Sequence, residues 1–219
     1  MLDLFESTLA FIYRLYLEFK CNMFTSKKCS ELEFTKFLSG PNVEYKYGTA
    51  EKFPLADTSC DLITVAQALH WFNLDLFFEE VDRVLKSNGR LAVFGYGMCT
   101  IENSELDALF QRYYLDTLGS SKEPGELGCY WDISRPLVDS GLKGIKFPYG
   151  TVIREWETIT KPTTLTDFVG YLSSFSAYEK FLESNKDPLP PLQKSLMDLG
   201  WNGEVNVSRP FFLLLSQKP

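Results

Sequence analysis

The sequence predicts an α/β fold built on a doubly wound, mostly parallel sheet. The first indication is a mostly apolar run at residues 61–66, short enough to be a central strand buried on both faces. An amphipathic segment at residues 74–86 follows it, and a strand-like run at residues 90–95 comes next. Such alternation indicates right-handed crossovers, and ligands of these sheets bind beyond the carboxyl ends of the strands. The loops at residues 48–54 and 66–73 are therefore where we expect a site.

Upstream of this unit, the pattern predicts two helices and a short strand. Apolar side chains recur at steps of three and four residues between Leu2 and Tyr16, the spacing of one buried helix face. A second helix is expected at residues 26–38, followed by a strand of alternating character at residues 43–47.

Downstream, the helix that starts at Leu74 is expected to stop at Ser87-Asn88-Gly89, a sequence suited to a left-handed helix terminus. After Gly97 the chain becomes more polar and aromatic. The elements predicted there are a helix at 104–118, a glycine-rich loop at 119–128, a strand at 151–160, a helical segment at 165–182, a short helix at 192–199 and a closing strand at 210–216.

Composition and charge restrict the classes of partner. A length of 219 residues favours one domain, and the net charge of −7 without a basic cluster argues against nucleic acid. Five widely spaced cysteines without a C-x-x-C pair predict neither disulfides nor a metal site, and they favour a cytoplasmic protein. Residues 1–20 contain charges and lack a basic leader, so we expect neither a signal peptide nor a membrane span. The oligomeric state stays unknown from the sequence.

An ordered series of short motifs resembles a known family. The motifs are Gly40-Pro41-Asn42-Val43-Glu44-Tyr45, Gly48-Thr49-Ala50-Glu51, Phe53-Pro54-Leu55, Asp61-Leu62-Ile63-Thr64, Ala66-Gln67-Ala68-Leu69-His70-Trp71-Phe72 and Arg83-Val84-Leu85-Lys86. Together they resemble class I S-adenosylmethionine-dependent methyltransferases, in particular the trans-aconitate methyltransferase-like group with a methyltransferase type 11 domain. The resemblance is strong over residues 40–97 and returns at residues 171–178 and in the final strand.

The resemblance implies a fold, a cofactor and a division of labour along the chain. The fold would be one Rossmann-like domain over residues 1–219, its sheet mostly parallel with an antiparallel C-terminal strand. Residues 1–97 would lie on the cofactor side and residues 98–219 on the substrate side. The cofactor would be S-adenosylmethionine, and the partner a small-molecule substrate methylated on an oxygen or carboxylate.

The resemblance also implies which residues bind the cofactor. Thr49, Ala50 and Glu51 follow the family's third strand, where an acidic motif lies along the adenine, although Thr49 stands where many relatives have aspartate. Ala66 and Gln67 end the fourth strand, near the methionine part of the cofactor. An alternative stays open for Glu51, which could cap the loop and face water, and Gln67 is open in the same way.

His70, Trp71 and Phe72 would then lie near the methyl donor and the substrate entrance. His70, the single histidine, could act as a general base or orient a substrate carboxylate or hydroxyl, because the unperturbed pKa of a histidine lies near neutrality. It could equally be a loop histidine that packs beside Trp71. Trp71 and Phe72 could contact substrate or serve as core or lid packing. A hydrolase would have to use this histidine, and no nucleophile-elbow sequence accompanies it.

One part of the family pattern is missing from the sequence. The family's first strand and glycine-rich turn precede its first helix, whereas this chain has no glycine before Gly40. Residues 16–26 align with the end of the first helix and the second strand, which puts Phe24 or Thr25 where relatives carry the acid that binds the ribose hydroxyls. We therefore expect an N-terminally incomplete sheet with impaired cofactor binding.

Three hypotheses follow from these observations. The chain is a methyltransferase, a catalytically silent protein that keeps the fold for binding or dimerisation, or an incomplete isoform. Methyl transfer from a sulfonium needs alignment and desolvation more than reactive side chains. The cofactor loops consequently decide between the first two hypotheses.

Overall fold

The computed structural model of the protein describes residues 21–25, 43–119, 122, 128–131 and 135–219. The helices predicted at residues 2–16 and 26–38, and most of the predicted glycine-rich loop, lie outside the described residues. The described strands are β1 (Cys21–Thr25), β2 (Val43–Tyr47), β3 (Cys60–Ala66), β4 (Leu85–Tyr96), β5 (Thr100–Ile101), β6 (Ile153–Thr164) and β7 (Glu204–Gln217). The described helices are α1 (Leu74–Val84), α2 (Ser104–Arg112), α3 (Arg135–Asp139), α4 (Leu165–Ser173), α5 (Ser176–Leu182) and α6 (Leu189–Asp198).

The described strands form two sheets. Strands β1 and β2 pair in parallel with Cys21 opposite Val43, and the five-stranded sheet has the order β3-β4-β7-β5 with β6 also on β7. Strand β5 is antiparallel to β7. The predicted α/β fold with an open sheet and an antiparallel C-terminal strand is confirmed. No helix in the described part of the chain is long and apolar enough to cross a membrane.

The chain divides into two compact units. Unit 1 comprises residues 1–93, 146–154 and 214–219, and unit 2 comprises residues 94–145 and 155–213. The long strands β4 and β7 each contribute residues to both units. The sequence predicts a single domain with a cofactor side up to residue 97 and a substrate side after it. This division stays a prediction.

Helix α1 packs the core of unit 1. Phe77, Val81 and Val84 recur at steps of four and three residues and are fully buried. The helix ends at Val84, two residues before the predicted end, because Leu85 already has extended backbone with ψ of 134°. Asn88, with φ of 63°, then takes the left-handed conformation that Asn tolerates better than most residues.

Strand β3 corrects one prediction. Of its seven residues only Val65 is buried, so a strand buried on both faces is wrong. Among the described strands β3 pairs with β4 alone, at the end of the five-stranded order. An end strand has a neighbour on one side, which explains why its apolar residues Leu62 and Ile63 are only half-buried.

Unit 2 has a core rich in aromatic residues. Helix α2 begins at Asn103, whose side-chain oxygen accepts hydrogen bonds from the amides of Glu105 and Leu106 at 2.9 and 3.1 Å. This cap satisfies two amides that the first helical turn leaves without partners. The core side chains with at most 2% exposure include Phe110, Tyr114, Phe168, Leu172, Leu196 and Trp201.

Trp156 in β6 lies outside that core. Its side chain remains 45% exposed, and its ring packs 5.4 Å from the ring of Phe212. It also covers Gly141, where an added Cβ would stand 2.1 Å from the ring atom Cζ2. Gly141 has φ of 67°, so both its backbone and this contact require glycine.

Candidate functional site

The two loops expected to carry a site lie side by side in unit 1. The amide of Asn73, at the start of α1, donates a hydrogen bond to Glu51 Oε1 at 3.1 Å. The rings of Phe53 and Phe72, one from each loop, both pack on Phe77, with centroids 6.2 and 5.1 Å away. The segment after β2 and the segment after β3 are thus joined by a polar contact and by a shared aromatic residue.

Glu51 has one carboxylate oxygen engaged and one available. Its Oε1 accepts from Asn73, so the loop-capping alternative for Glu51 is correct for that oxygen. Among the described residues its Oε2 has no hydrogen-bond partner, and the side chain is half-buried. The proposed contact with a cofactor stays a prediction, and Oε2 is the atom that could make it.

Thr49 and Ala50 form the turn that presents Glu51. The amide of Lys52 donates to the carbonyl oxygen of Thr49 at 3.3 Å, and these two residues form an isolated antiparallel bridge. Thr49 is exposed and Ala50 is half-buried. A small residue at the second position leaves the backbone of the turn accessible to a ligand.

The end of β3 carries an uncommon backbone conformation, which Thr58 and Leu142 also adopt. Gln67 has φ of 48°, a left-handed value that is uncommon for a residue other than glycine, asparagine or aspartate. Such a conformation costs on the order of 1–3 kcal/mol and is found preferentially at functional sites. Ala66 before it is exposed and Gln67 itself is half-buried. The role of Ala66 and Gln67 in cofactor binding stays a prediction.

His70, Trp71 and Phe72 follow in a short 3₁₀ turn with different surroundings. The rings of His70 and Trp71 are 5.0 Å apart and tilted by 43°, so the histidine does pack beside the tryptophan. Trp71 is 55% exposed, which contradicts core packing and leaves its ring open to a ligand. Phe72 is half-buried against Phe77, which supports the packing alternative. Roles in catalysis and substrate binding stay predictions.

A buried carboxylate that the sequence reasoning missed holds the first loop to α1. Glu80 is 9% exposed, and its Oε1 accepts from the amide of Phe53 at 2.6 Å. Its two oxygens also bind the guanidinium of Arg83, at 2.9 Å from Nε and 2.5 Å from Nη2. Hydrogen bonding from Arg83 lowers the pKa of Glu80 despite desolvation. Glu80 is therefore ionised at neutral pH.

Arg83 extends the same network along the loop. It donates to the carbonyl oxygens of Leu55 at 2.9 Å and Phe53 at 3.2 Å, and its Nη1 lies 2.6 Å from Asp57 Oδ1. The bonds from Glu80 and Asp57 raise its pKa. Two motifs that stand 28 residues apart in the sequence are thus in direct contact: Phe53-Pro54-Leu55 and Arg83-Val84-Leu85-Lys86. In the described residues no group of three His, Cys, Asp or Glu side chains is placed to hold a metal ion.

Comparisons with known proteins identify the family and the fold of the chain. The sequence profile of the methyltransferase domain matches residues 19–93. A methyltransferase of Dictyostelium discoideum is 35% identical over 184 residues, which are 81% of this chain and 67% of that protein. An uncharacterized methyltransferase of Schizosaccharomyces pombe is 45% identical over 53 residues, or 24% of this chain and 21% of its own length. The solved structure of a type II methyltransferase from Anaeromyxobacter dehalogenans superposes with a TM-score of 0.70 and 23% identity over 95% of each chain.

Proposed function

Because the chain belongs to the methyltransferase domain family, we propose that it transfers a methyl group to an oxygen or carboxylate of a small-molecule acceptor. The observation that carries the proposal is the junction of the loops after β2 and β3 through Glu51 and Asn73. Three cysteines in the described residues, Cys60, Cys99 and Cys129, are free thiols, which supports the cytoplasm as the place of action.

S-adenosylmethionine is the cofactor of this family, and the residues at the junction fit it chemically. Glu51 Oε2 is a carboxylate oxygen that can accept hydrogen bonds from hydroxyl or amino donors of a nucleoside. Ala50 and Ala66 are small enough to let a ligand approach the backbone closely. The exposed ring of Trp71 offers a face of the kind that attracts a cation such as a sulfonium.

When bound, the cofactor supplies a methyl group on a positively charged sulfur that is already a good leaving group. The chain's own residues then have to hold donor and acceptor in line and exclude water. Under the proposal His70, beside Trp71, accepts the proton of a hydroxyl acceptor or donates a hydrogen bond to a carboxylate acceptor. Thr49, Ala50, Glu51, Ala66 and Gln67 bind the cofactor.

Calorimetric titration of the full chain with S-adenosylmethionine and with S-adenosylhomocysteine tests the proposal. We expect saturable binding of both. Glu51→Gln keeps an acceptor for the Asn73 amide but removes the charge, and we expect about tenfold weaker binding, the effect of losing ~1.4 kcal/mol. Glu79→Gln, an exposed glutamate on α1, is the matched control and should leave binding unchanged. The absence of both binding heat and a thermal shift at millimolar ligand would refute the proposal.

A second candidate is a catalytically silent protein that keeps the fold for binding or dimerisation. One observation favours it: the described strands form a two-stranded and a five-stranded sheet rather than one continuous sheet. This candidate predicts a cooperatively folded chain that binds neither form of the cofactor. Cooperative urea unfolding together with a flat titration would support it.

A further inference from the structure

Unit 2 contains an arginine that is stacked on an aromatic ring and has no ionic partner among the described residues. Arg209 lies in β7, is half-buried, and places its guanidinium carbon 4.6 Å from the centre of the Tyr171 ring. The ring of Tyr96 lies 6.4 Å from that of Tyr171 and 5.5 Å from that of Phe211. We call Tyr96, Tyr171, Arg209 and Phe211 the Arg209 site.

The alternation of β7 brings two members of the site to one face. Residues 209 and 211 are two positions apart in a strand, so their side chains point to the same side of the sheet. Between them, Pro210 accepts a hydrogen bond on its carbonyl oxygen from the amide of Gly97 at 3.0 Å. This bond fixes the backbone of β7 at the centre of the site.

The charge of Arg209 is uncompensated in the described part of the chain. Its counterparts Arg83 and Arg135 each bind a carboxylate, Arg135 through Asp139 at 2.7 Å, whereas no described carboxylate lies within ion-pair distance of Arg209. An unpaired charge that is partly withdrawn from water costs free energy, and a bound anion would recover it.

The polar groups near Arg209 do not supply the missing negative charge. Burial raises the pKa of the Cys99 thiol to about 11, even though Arg209 acts to lower it. Burial likewise raises the pKa of the Tyr171 hydroxyl, even though a hydrogen bond from Arg209 acts to lower it. The charge of Asp107 also raises the pKa of the Cys99 thiol, and Asp107 accepts a hydrogen bond from the amide of Ile101 at 2.8 Å. Both Cys99 and Tyr171 are therefore neutral at physiological pH.

Stacking prepares Arg209 for a planar anion. A guanidinium lying over an aromatic ring keeps its N–H donors in its own plane, where they can bind both oxygens of a carboxylate. The aromatic faces of the site are suited to a planar or apolar body attached to that carboxylate. Lysine could not replace both features, because its ammonium is a point charge.

We propose that the Arg209 site binds the carboxylate of a small organic acid whose planar body packs on the neighbouring rings. The binding of this acid does not depend on the proposed function. Only the further step of taking the acid as the methyl acceptor rests on it. A carboxylate could also come from S-adenosylmethionine, and the experiment separates the two sources.

The test is calorimetric titration of the full chain with cinnamate and with its neutral isostere cinnamamide. We expect cinnamate to bind saturably and cinnamamide to bind at least about tenfold more weakly. Arg209→Gln should lose the preference for the acid, and Arg209→Lys should retain only part of it. Lys161→Gln removes an exposed positive charge from β6 in the same unit and should match the native chain. Circular dichroism and thermal unfolding check that each variant is folded.

Each outcome has a definite meaning. The proposal would be overturned if cinnamate did not bind, or if cinnamate and cinnamamide bound with equal affinity. It would also be overturned if folded Arg209→Gln kept the preference for the acid, or if Arg209→Lys kept it in full. If saturating S-adenosylhomocysteine leaves the affinity for cinnamate unchanged, the site binds a separate acid, as proposed. If S-adenosylhomocysteine displaces cinnamate competitively, the site binds the carboxylate of the cofactor, and the proposal is contradicted. If S-adenosylhomocysteine gives no heat but Arg209-dependent cinnamate binding persists, the proposed function fails and the acid site stands.

Discussion

Replacing Glu80 by glutamine should loosen the loop that precedes β3. The substitution preserves size and can keep an oxygen for the amide of Phe53, but it turns an amide group toward Arg83, which also donates. Hydrogen bonds to charged groups contribute about 1.5–3 kcal/mol. The Arg83 side chain is 34% exposed and keeps its contact with Asp57, so solvent screening reduces the expected loss to about 1–2 kcal/mol.

Urea and thermal unfolding at several pH values measure this effect. For a chain of this length, a loss of that size lowers Tm by roughly 2–8 °C. Because the folded pKa of Glu80 is lowered, its carboxylate stabilises the fold at neutral pH, and the contribution disappears as pH falls below the ordinary glutamate value of about 4.3. The difference between native and variant should therefore be complete at pH 7 and shrink below about pH 4.

The control is Glu79→Gln, which removes the same charge from an exposed neighbour on α1 and should cost less than about 0.5 kcal/mol. If Glu80→Gln were as stable as this control at pH 7, the network would not hold the loop. A difference that stayed constant down to pH 3 would refute the electrostatic explanation.

Substitutions at Gly141 and Asn103, each with a control, test the packing and the helix capping of unit 2. Gly141→Ala should lower the free energy of unfolding by about 1–3 kcal/mol, because φ is 67° and the new Cβ meets Trp156. In contrast, Gly170→Ala within α4, where no atom lies within 4 Å of the added Cβ, should be neutral or stabilising in the same urea series. Asn103→Ala should cost about 1 kcal/mol by removing the cap of α2, and Asn103→Asp should restore it; equal midpoints for the two variants would contradict the capping role.

The sequence predicted which two loops adjoin better than it predicted the contacts that join them. The rule that ligands bind beyond the carboxyl ends of parallel strands selected the loops at residues 48–54 and 66–73, and Glu51 does contact Asn73 across them. The bond between Glu80 and Phe53 joins residues 27 positions apart. Hydrophobic periodicity reports local structure only, so it could not find this contact. The left-handed backbone of Gln67 was equally hidden, since glutamine has no intrinsic preference for it.

Differences at element ends have similar physical causes. The closing strand was predicted at residues 210–216, yet β7 starts at Glu204. Proline lacks only the amide donor, and its carbonyl oxygen still accepts from Gly97, so β7 continues through it. Trp156 lies in the strand predicted at residues 151–160, and its exposure depends on what covers that face of the strand, which periodicity does not encode.

Two groups of polar contacts join the segment after β2 to α1, one at each end of the helix, so the conformation of this segment depends on α1. Glu51 contacts Asn73 at the start of α1, while Phe53, Leu55 and Asp57 are held through Glu80 and Arg83 in its last two turns. Glu51 is only two residues from Phe53, so an untethered Phe53 amide would let the Glu51 carboxylate move as well. Under the proposed function, Glu80→Gln should thus weaken cofactor binding at pH 7 although Glu80 touches no ligand. Unchanged affinity in that variant, with its stability lowered, would mean that the contact between Glu51 and Asn73 positions the carboxylate without help from Glu80.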